Sequence, residues 1–269
     1  MMYKYKGIDV FELYEAAVQS PDSDVVWLDR VYKDLRGKAP VYLREDFCGT
    51  SKICCEWVKL NNKKMAMGYD LDKKTLEYAK LNHLSKLKPA QKNRIDLLHK
   101  NVLSKPQQKS DITFAPNFSF NIFKDDKSLD KYFRASKNAL NRGGVFVLEM
   151  VGGPSMMEIT KEETKYKKKG KPWFTYIWEQ RDFNPVTHEI FCAIHFKMAN
   201  GTMIKDAFTY DWRLWTIPEL RNALKLAGFR DTAVYWEVEE ADEHGFSTYE
   251  RTENPENEEC WISYVVGIK

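Results

Sequence analysis

The sequence predicts an α/β fold: a doubly wound, seven-stranded, mostly parallel sheet carrying a three-stranded antiparallel β insertion. Three observations lead there. Apolar strand-like runs alternate with helical patterns between Val41 and Met150, as in a parallel sheet whose crossovers are helices. After Met150 the period of the apolar residues shortens to that of antiparallel strands. The chain then returns to one well-punctuated helix and two further apolar strands.

The elements follow in order. Val10 to Val18 sets Val10, Leu13, Tyr14 and Ala17 on one helical face, and Val25 to Leu35 does the same with Val26, Leu28, Val31 and Leu35. These make residues 1–40 a helical cap ahead of the sheet. Strands are expected at Val41 to Glu45, Lys64 to Asp70, Ile95 to Lys100, Asp111 to Ala115 and Val145 to Met150, with helices at Ser51 to Leu60, Lys73 to Leu84 and Leu129 to Leu140. Asn141-Arg142-Gly143-Gly144 reads as the turn before the fifth strand. Within 173–215, the runs Phe174 to Arg181, Ile190 to Met198 and Met203 to Asp211 make a meander joined by Asn184-Pro185-Val186-Thr187 and Ala199-Asn200-Gly201-Thr202. In 216–269, a helix from Ile217 to Ala227 opens with Thr216 as N-cap, Pro218 in the first turn and Glu219 three residues after the cap, and closes at Gly228. Ala233 to Val238 and Cys260 to Ile268 supply the last two strands.

Composition bounds the function. The 269 residues are 43% hydrophobic and 30% charged, ordinary for one globular domain. No apolar run approaches the ~18 residues of a membrane span, and the start Met1-Met2-Tyr3-Lys4 lacks a signal-peptide core, so a cytoplasmic protein is expected. Five cysteines, with no Cys/His set at ligand spacing, read as buried thiols without a metal. A net charge of +3 gives no general attraction to nucleic acid. Lys161 to Lys171 is a local exception, but its glutamates make a solvated, mobile loop the expectation. The acidic residues Glu239, Glu240, Asp242, Glu243 and Glu250 to Glu259 read as a loop between the last two strands.

The run Glu45-Asp46-Phe47-Cys48-Gly49-Thr50-Ser51 carries the functional signal. It follows the apolar Val41-Tyr42-Leu43 and precedes a helical pattern, so it is a strand, a glycine-containing turn and a helix N-terminus. Such a place offers unpaired amides and the positive end of a helix dipole to an anionic or nucleotide-like ligand. Met65 to Asp70 is a second buried strand ending in a carboxylate, the position from which nucleotide-binding sheets hold ribose hydroxyls.

On these residues the chain resembles a class I S-adenosylmethionine-dependent methyltransferase, whose first motif is acidic-x-Gly-x-Gly-x-Gly. Glu45 matches the acidic residue and Gly49 the central glycine, while Phe47 and Ser51 replace the outer glycines and Phe47 is expected to narrow the cofactor turn. The resemblance spans roughly Val41 to Ala227 and implies S-adenosylmethionine as cofactor. It makes Asp70, with the adjoining Leu71, the ribose site, Asn101 a partner for the adenine edge, and Val102 a packing surface for the base. Arg44 either supports the methionine carboxylate or pairs with Glu45 on the surface. The resemblance also makes the last two strands an antiparallel hairpin at one sheet edge, and puts the insertion over the cofactor mouth.

Ala115-Pro116-Asn117-Phe118-Ser119-Phe120 occupies the place of the family's fourth motif, which faces the methyl group. Asn117 is expected to border the cofactor, and with Ser119 it is a candidate to bond an acceptor, with Phe118 and Phe120 as walls; the alternative is a capped loop over two core aromatics. In the insertion, His195 is the candidate general base, and Tyr210, Arg213 and Trp215 the residues that select the acceptor, with Trp178, Glu179 and Arg181 completing the pocket. Equally, His195 is a half-buried strand residue, and Arg213 a brace for Asp211 or Asp206. A small-molecule acceptor is expected, since nothing resembles a recognition module for nucleic acid or protein. The competing readings are a protein or RNA methyltransferase, a silent binding protein on the same fold, and a nicotinamide oxidoreductase, which would need a glycine-richer turn.

Overall fold

The computed structural model describes residues 4–238 and 248–269. A small hairpin, Lys4–Tyr5 against Ile8–Asp9, leads into α1 (Val10–Val18) and α2 (Pro21–Arg36). Asp9 caps α1 by accepting from the amides of Phe11 and Glu12. The second helix begins earlier than its apolar period suggests, because Pro21 brings a preset helical φ to a position whose amide would go unpaired anyway.

The sheet is then assembled from β1 (Tyr42–Asp46), β2 (Met65–Asp70), β3 (Ile95–His99), β4 (Ser110–Ala115) and β5 (Leu140–Gly152), alternating with α3 (Lys52–Leu60), α4 (Lys73–Asn82) and α5 (Asp126–Ala139). The insertion follows as β6 (Lys161–Lys168), β7 (Lys171–Phe183), β8 (Glu189–Met198) and β9 (Met203–Arg213). The chain closes with α6 (Ile217–Leu226), β10 (Asp231–Val238), β11 (Thr248–Arg251) and β12 (Trp261–Ile268). Along the main sheet the order is β11-β10-β12-β5-β4-β1-β2-β3, parallel from β5 to β3 and antiparallel through β12, β10 and β11. Connections run one way from β1 to β2 and the other way to β4, so a crevice opens at the carboxyl ends of these strands.

The predicted α/β class and the Thr216–Glu219 capping box of α6 are present, and three sequence expectations change. The main sheet has eight strands, not seven: Glu250 and Arg251, expected in a loop, pair with Trp236 and Tyr235 as a short edge strand. The Glu239 to Glu243 part of that acidic stretch lies outside the described residues. The insertion is a four-stranded sheet, because Lys161–Lys168 is a strand and not a mobile loop. Its hairpin turns at Lys169 and Gly170, both left-handed at φ 51° and 77°, the geometry that matches strand twist in a two-residue loop. Only Tyr166 of this strand is half-buried, stacked on Phe174 at 4.9 Å, so apolar alternation left no trace there. The fifth strand absorbs the expected turn Asn141 to Gly144, starting at Leu140 opposite Ser110 and taking up the irregularity as a register shift between Ser110 and Ile112.

Helices cover both faces of the main sheet. Trp27, Leu28, Ile53 and Trp57 of α2 and α3 pack on one face, and Leu129, Phe133, Leu220 and Leu224 of α5 and α6 on the other. A third cluster joins Phe11 and Leu13 of α1 to Phe174, Ile194 and Phe208 of the insertion. Burying each such side chain contributes about 1.5–3 kcal/mol, so α1 holds the insertion against the main body.

Candidate active site

The turn after β1 keeps a glycine-type backbone with one glycine. Phe47, Gly49 and Ser51 are left-handed at φ 56°, 49° and 60°. A non-glycine residue held there costs about 1–3 kcal/mol and persists only where neighbours enforce it. Here the enforcement is visible. The Cys48 amide donates to the Tyr69 carbonyl at 3.0 Å, the Gly49 amide to Asp70 Oδ2 at 2.8 Å, and the Ser51 amide to the Cys48 carbonyl at 2.7 Å. The Phe47 ring packs against Phe123 and Tyr132, so the bulk expected across the cofactor turn goes into the aromatic core beneath it.

That turn fits a nucleotide-like cofactor. Ser51 sits at the head of α3 without capping it, and the buried Glu45 takes only the third amide of the helix, that of Cys54, so the Lys52 and Ile53 amides are those left to meet a negative group. The Thr50 hydroxyl is buried and has no hydrogen-bond partner among the described residues. Asp70 accepts from the amides of Gly49 and Asp72, and each oxygen keeps a lone pair for a hydroxyl. Leu71, 63% exposed, stands beside it as an apolar surface next to the β3 loop. In that loop Asn101 is exposed with its Oδ1 accepting from the Leu103 amide, while Val102 is buried in the core under α5.

Two motif residues turn out to be structural. Arg44 does not lie on the surface and does not pair with Glu45. It is fully buried, donates to Asp46 and to the Val102 carbonyl at 2.6 Å each, and lies 4.1 Å over the Tyr69 ring. Its place is thus between β1 and the β3 loop, not at the open helix N-terminus. Glu45 accepts from the Cys54 amide at 3.0 Å and ties β1 to α3, its carboxyl pushed up to about 8 chiefly by burial.

Two cavities open at the carboxyl ends of β4 and β5, beside the amino end of β12, and share Val18, Asn117 and Ile262. The larger, about 590 Å³, is lined by Asp22, Asp24, Lys52, Glu149 and Tyr264 among others. The smaller, about 220 Å³, lies between α1, the β4 loop and the insertion, and is walled by Tyr14, Phe118, Trp178, Tyr210 and Trp212. Asn117, left-handed at φ 53°, stands where the two meet, its amide donating to Glu149 Oε2 at 2.5 Å. Of the β4 loop candidates, Asn117 and Phe118 therefore face the cavities. Ser119 donates to the Pro116 carbonyl and Phe120 is core.

The insertion divides its candidates between two faces. Tyr210 and Trp178 line the smaller cavity with Tyr14, and burial pushes both phenols up, Tyr14 to about 12. His195 points to the other face, away from both cavities. Its Nδ1 accepts from the Asp206 amide at 2.9 Å and its Nε2 bonds Glu179 at 3.0 Å, so it pins an irregularity between β8 and β9 and has no free nitrogen for a base. Glu179 and Arg181 share that face, and the Arg181 contact holds the Glu179 carboxyl down at about 2. Arg213 also misses the cavities and pairs with neither Asp211 nor Asp206: it stacks 3.6 Å over Trp215 and bonds Glu219 at 2.9 Å, bracing the cap of α6. Trp215 is core.

Glu149, Asp24 and Lys52 are the residues sequence reasoning passed over. Glu149 had one signal: it is the single charge in the apolar run Val145 to Val151. It is half-buried, its exposed part facing the larger cavity. Burial raises its carboxyl to about 7, and burial together with the Glu149 charge raises Asp24 well above the usual range. A carboxyl raised in the folded state stabilises the fold below its unfolded value and loses that stabilisation as pH climbs through the folded value. Thermal melts are therefore expected to give a lower Tm at pH 8.5 than at pH 6, through Glu149 near 7 and Glu45 near 8. Glu149→Gln should shrink that difference; a Tm that rises with pH would contradict the assignment.

No family model matches the chain, and no curated protein does. Solved structures do. DesVI of Streptomyces venezuelae superposes with a TM-score of 0.71 at 15% identity, covering 99% of both chains. CalS10, an amino pentose methyltransferase from Micromonospora echinaspora solved with S-adenosylmethionine bound, gives 0.68 at 14% identity over 100% of both. An S-adenosylmethionine-dependent methyltransferase from Clostridium acetobutylicum gives 0.65 at 20% identity, covering 95% of this chain and 94% of that one. Across essentially its whole length, this chain has the fold of the S-adenosylmethionine-dependent methyltransferases.

Proposed function

We propose that the protein transfers a methyl group from S-adenosylmethionine to a small-molecule acceptor. The observation that carries this reading is the turn Phe47 to Ser51, held in a glycine-type conformation by Tyr69 and Asp70, with Lys52 directly after it lining the larger of the two cavities that meet at Asn117. Neighbours of the same fold, CalS10 among them, act on small molecules.

When bound, the cofactor supplies an electrophilic methyl group on a sulfonium. The chain's own work is binding, alignment and exclusion of water. Asp70 holds the ribose hydroxyls; Leu71 and Asn101 border the base, with Val102 beneath their loop; Gly49, Thr50 and the amides heading α3 receive the polar end, with Lys52 beside them. Arg44, Glu45 and Phe47 hold this surface in shape from below. Asn117 and Tyr210 present the acceptor, and the insertion roofs it. Among the described residues no helix is long and apolar enough to cross a membrane. Cysteines without a disulfide among these residues suit a reducing compartment, and we place the protein in the cytoplasm on that ground.

Calorimetry with S-adenosylmethionine, S-adenosylhomocysteine and NAD tests the reading. The first two are expected to bind and NAD to give no heat. Binding of NAD alone, or of none of the three, overturns it.

A further inference from the structure

The acceptor cavities are unlike each other, and the contrast describes a ligand. Asp22, Asp24, Glu149 and Glu237 line the larger one, with Lys52 as the single cationic side chain among its lining residues. Glu149 and Asp24 reach it from different elements, β5 and α2, and Tyr264 of β12 donates to Asp24 at 3.3 Å. Gln19 lines the same space with a buried Oε1 that has no partner among the described residues. Such a chamber favours a cation or a hydrogen-bond donor and repels an anion.

The smaller chamber points the same way independently. Trp178, Tyr210 and Trp212 line it, with Tyr210 and Trp212 ring centres 4.3 Å apart and Trp178 6.0 Å from Tyr210. Aromatic faces around a confined space attract ammonium groups. Gln180 also lines it, 1% exposed, its Nε2 donating to the Met156 carbonyl at 2.7 Å and its Oε1 without a partner among the described residues. An acceptor of this kind meets a wall of rings, a carbonyl-type oxygen, and then a carboxylate at Asn117.

We propose that the acceptor is a small basic amine, methylated on nitrogen, with Glu149 receiving the proton that the nitrogen loses and the aromatic chamber holding the amine's apolar body. This rests on the cofactor reading above. The amine arrives as its ammonium ion and gives one proton to the Glu149 carboxylate, which passes it on to water. The freed nitrogen lone pair then forms the nitrogen–carbon bond as the carbon–sulfur bond breaks, the bonding pair of the latter leaving with sulfur as a neutral thioether, and the methylated nitrogen carries the positive charge. A hydroxyl acceptor gains a hydrogen bond from this chamber, whereas a protonated amine gains the hydrogen bond and the attraction of its charge.

Calorimetry on the intact protein saturated with S-adenosylhomocysteine tests this with matched probes, N-methylbenzylamine and benzyl methyl ether. The amine is expected to bind at least tenfold more tightly than the ether. Glu149→Gln is expected to remove most of that preference while changing S-adenosylhomocysteine affinity less than about twofold; should this variant not fold, Asp24→Asn must reduce the preference instead. Equal affinity for amine and ether overturns the proposal and leaves the cofactor reading standing. So does a Glu149→Gln variant that weakens S-adenosylhomocysteine as much as the amine, since the carboxylates would then belong to the cofactor. Absence of S-adenosylhomocysteine binding to the wild-type protein overturns the cofactor reading and the amine proposal with it.

Discussion

Arg44→Met is expected to destabilise the protein by about 3–5 kcal/mol, the usual result of removing one partner of a buried ion pair. Arg44 and Asp46 are both fully buried, and without the guanidinium the Asp46 carboxylate keeps only the Tyr132 hydroxyl, which donates to it at 3.0 Å. The Val102 carbonyl loses its donor in the same step, so the β3 loop loosens as well. Denaturant titration measures the loss. The double variant Arg44→Met/Asp46→Leu should recover much of it, because a buried pair replaced whole by apolar groups of similar volume is often neutral. A single-variant loss below about 1 kcal/mol would mean the pair is not what organises this part of the sheet.

Asp70→Ala is expected to weaken S-adenosylhomocysteine binding roughly ten- to hundredfold, the equivalent of about 1.5–3 kcal/mol for hydrogen bonds to a charged group. Two losses combine. The ribose loses its acceptor, and the Gly49 amide loses the oxygen that holds the turn at 2.8 Å. Asp70→Asn keeps a neutral acceptor and should fall between wild type and Ala. If Asp70→Ala folds and binds S-adenosylhomocysteine like wild type, Asp70 is a turn former only.

Most of the fold was legible because it is written in apolar period and turn chemistry. The strands of the parallel half are runs such as Val145 to Val151 that only a doubly covered sheet can bury, and Thr216 with Glu219 declares the start of α6. What escaped was what the apolar pattern does not record. Strand β6 pairs through its backbone while every side chain but that of Tyr166 is exposed, and β11 adds only four residues at an edge. The site was half legible for a similar reason. Asp70 and Gly49 are marked by local order, a strand end and a turn. Arg44 looked like a surface charge because its partners, Asp46, Tyr69 and the Val102 carbonyl, meet it only after the sheet forms. His195 and Tyr210 both belong to the insertion, yet alternation along β8 and β9 sends them to opposite faces. Glu149 and Asp24 are more than a hundred positions apart in sequence and become one chamber only through packing of α2 across β5 and β12.

Strand β6 has a consequence for how copies of this protein behave when crowded. It is one of the two edge strands of the insertion sheet, and such an edge can template another chain. Lys161 pairs with Glu179 at 3.4 Å and Lys168 with Glu12 at 2.6 Å, while Lys165 and Lys167 are exposed along that margin and oppose the approach of a second such strand by like charge. Lys165 and Lys167 therefore work against strand-by-strand growth at this edge of the insertion sheet.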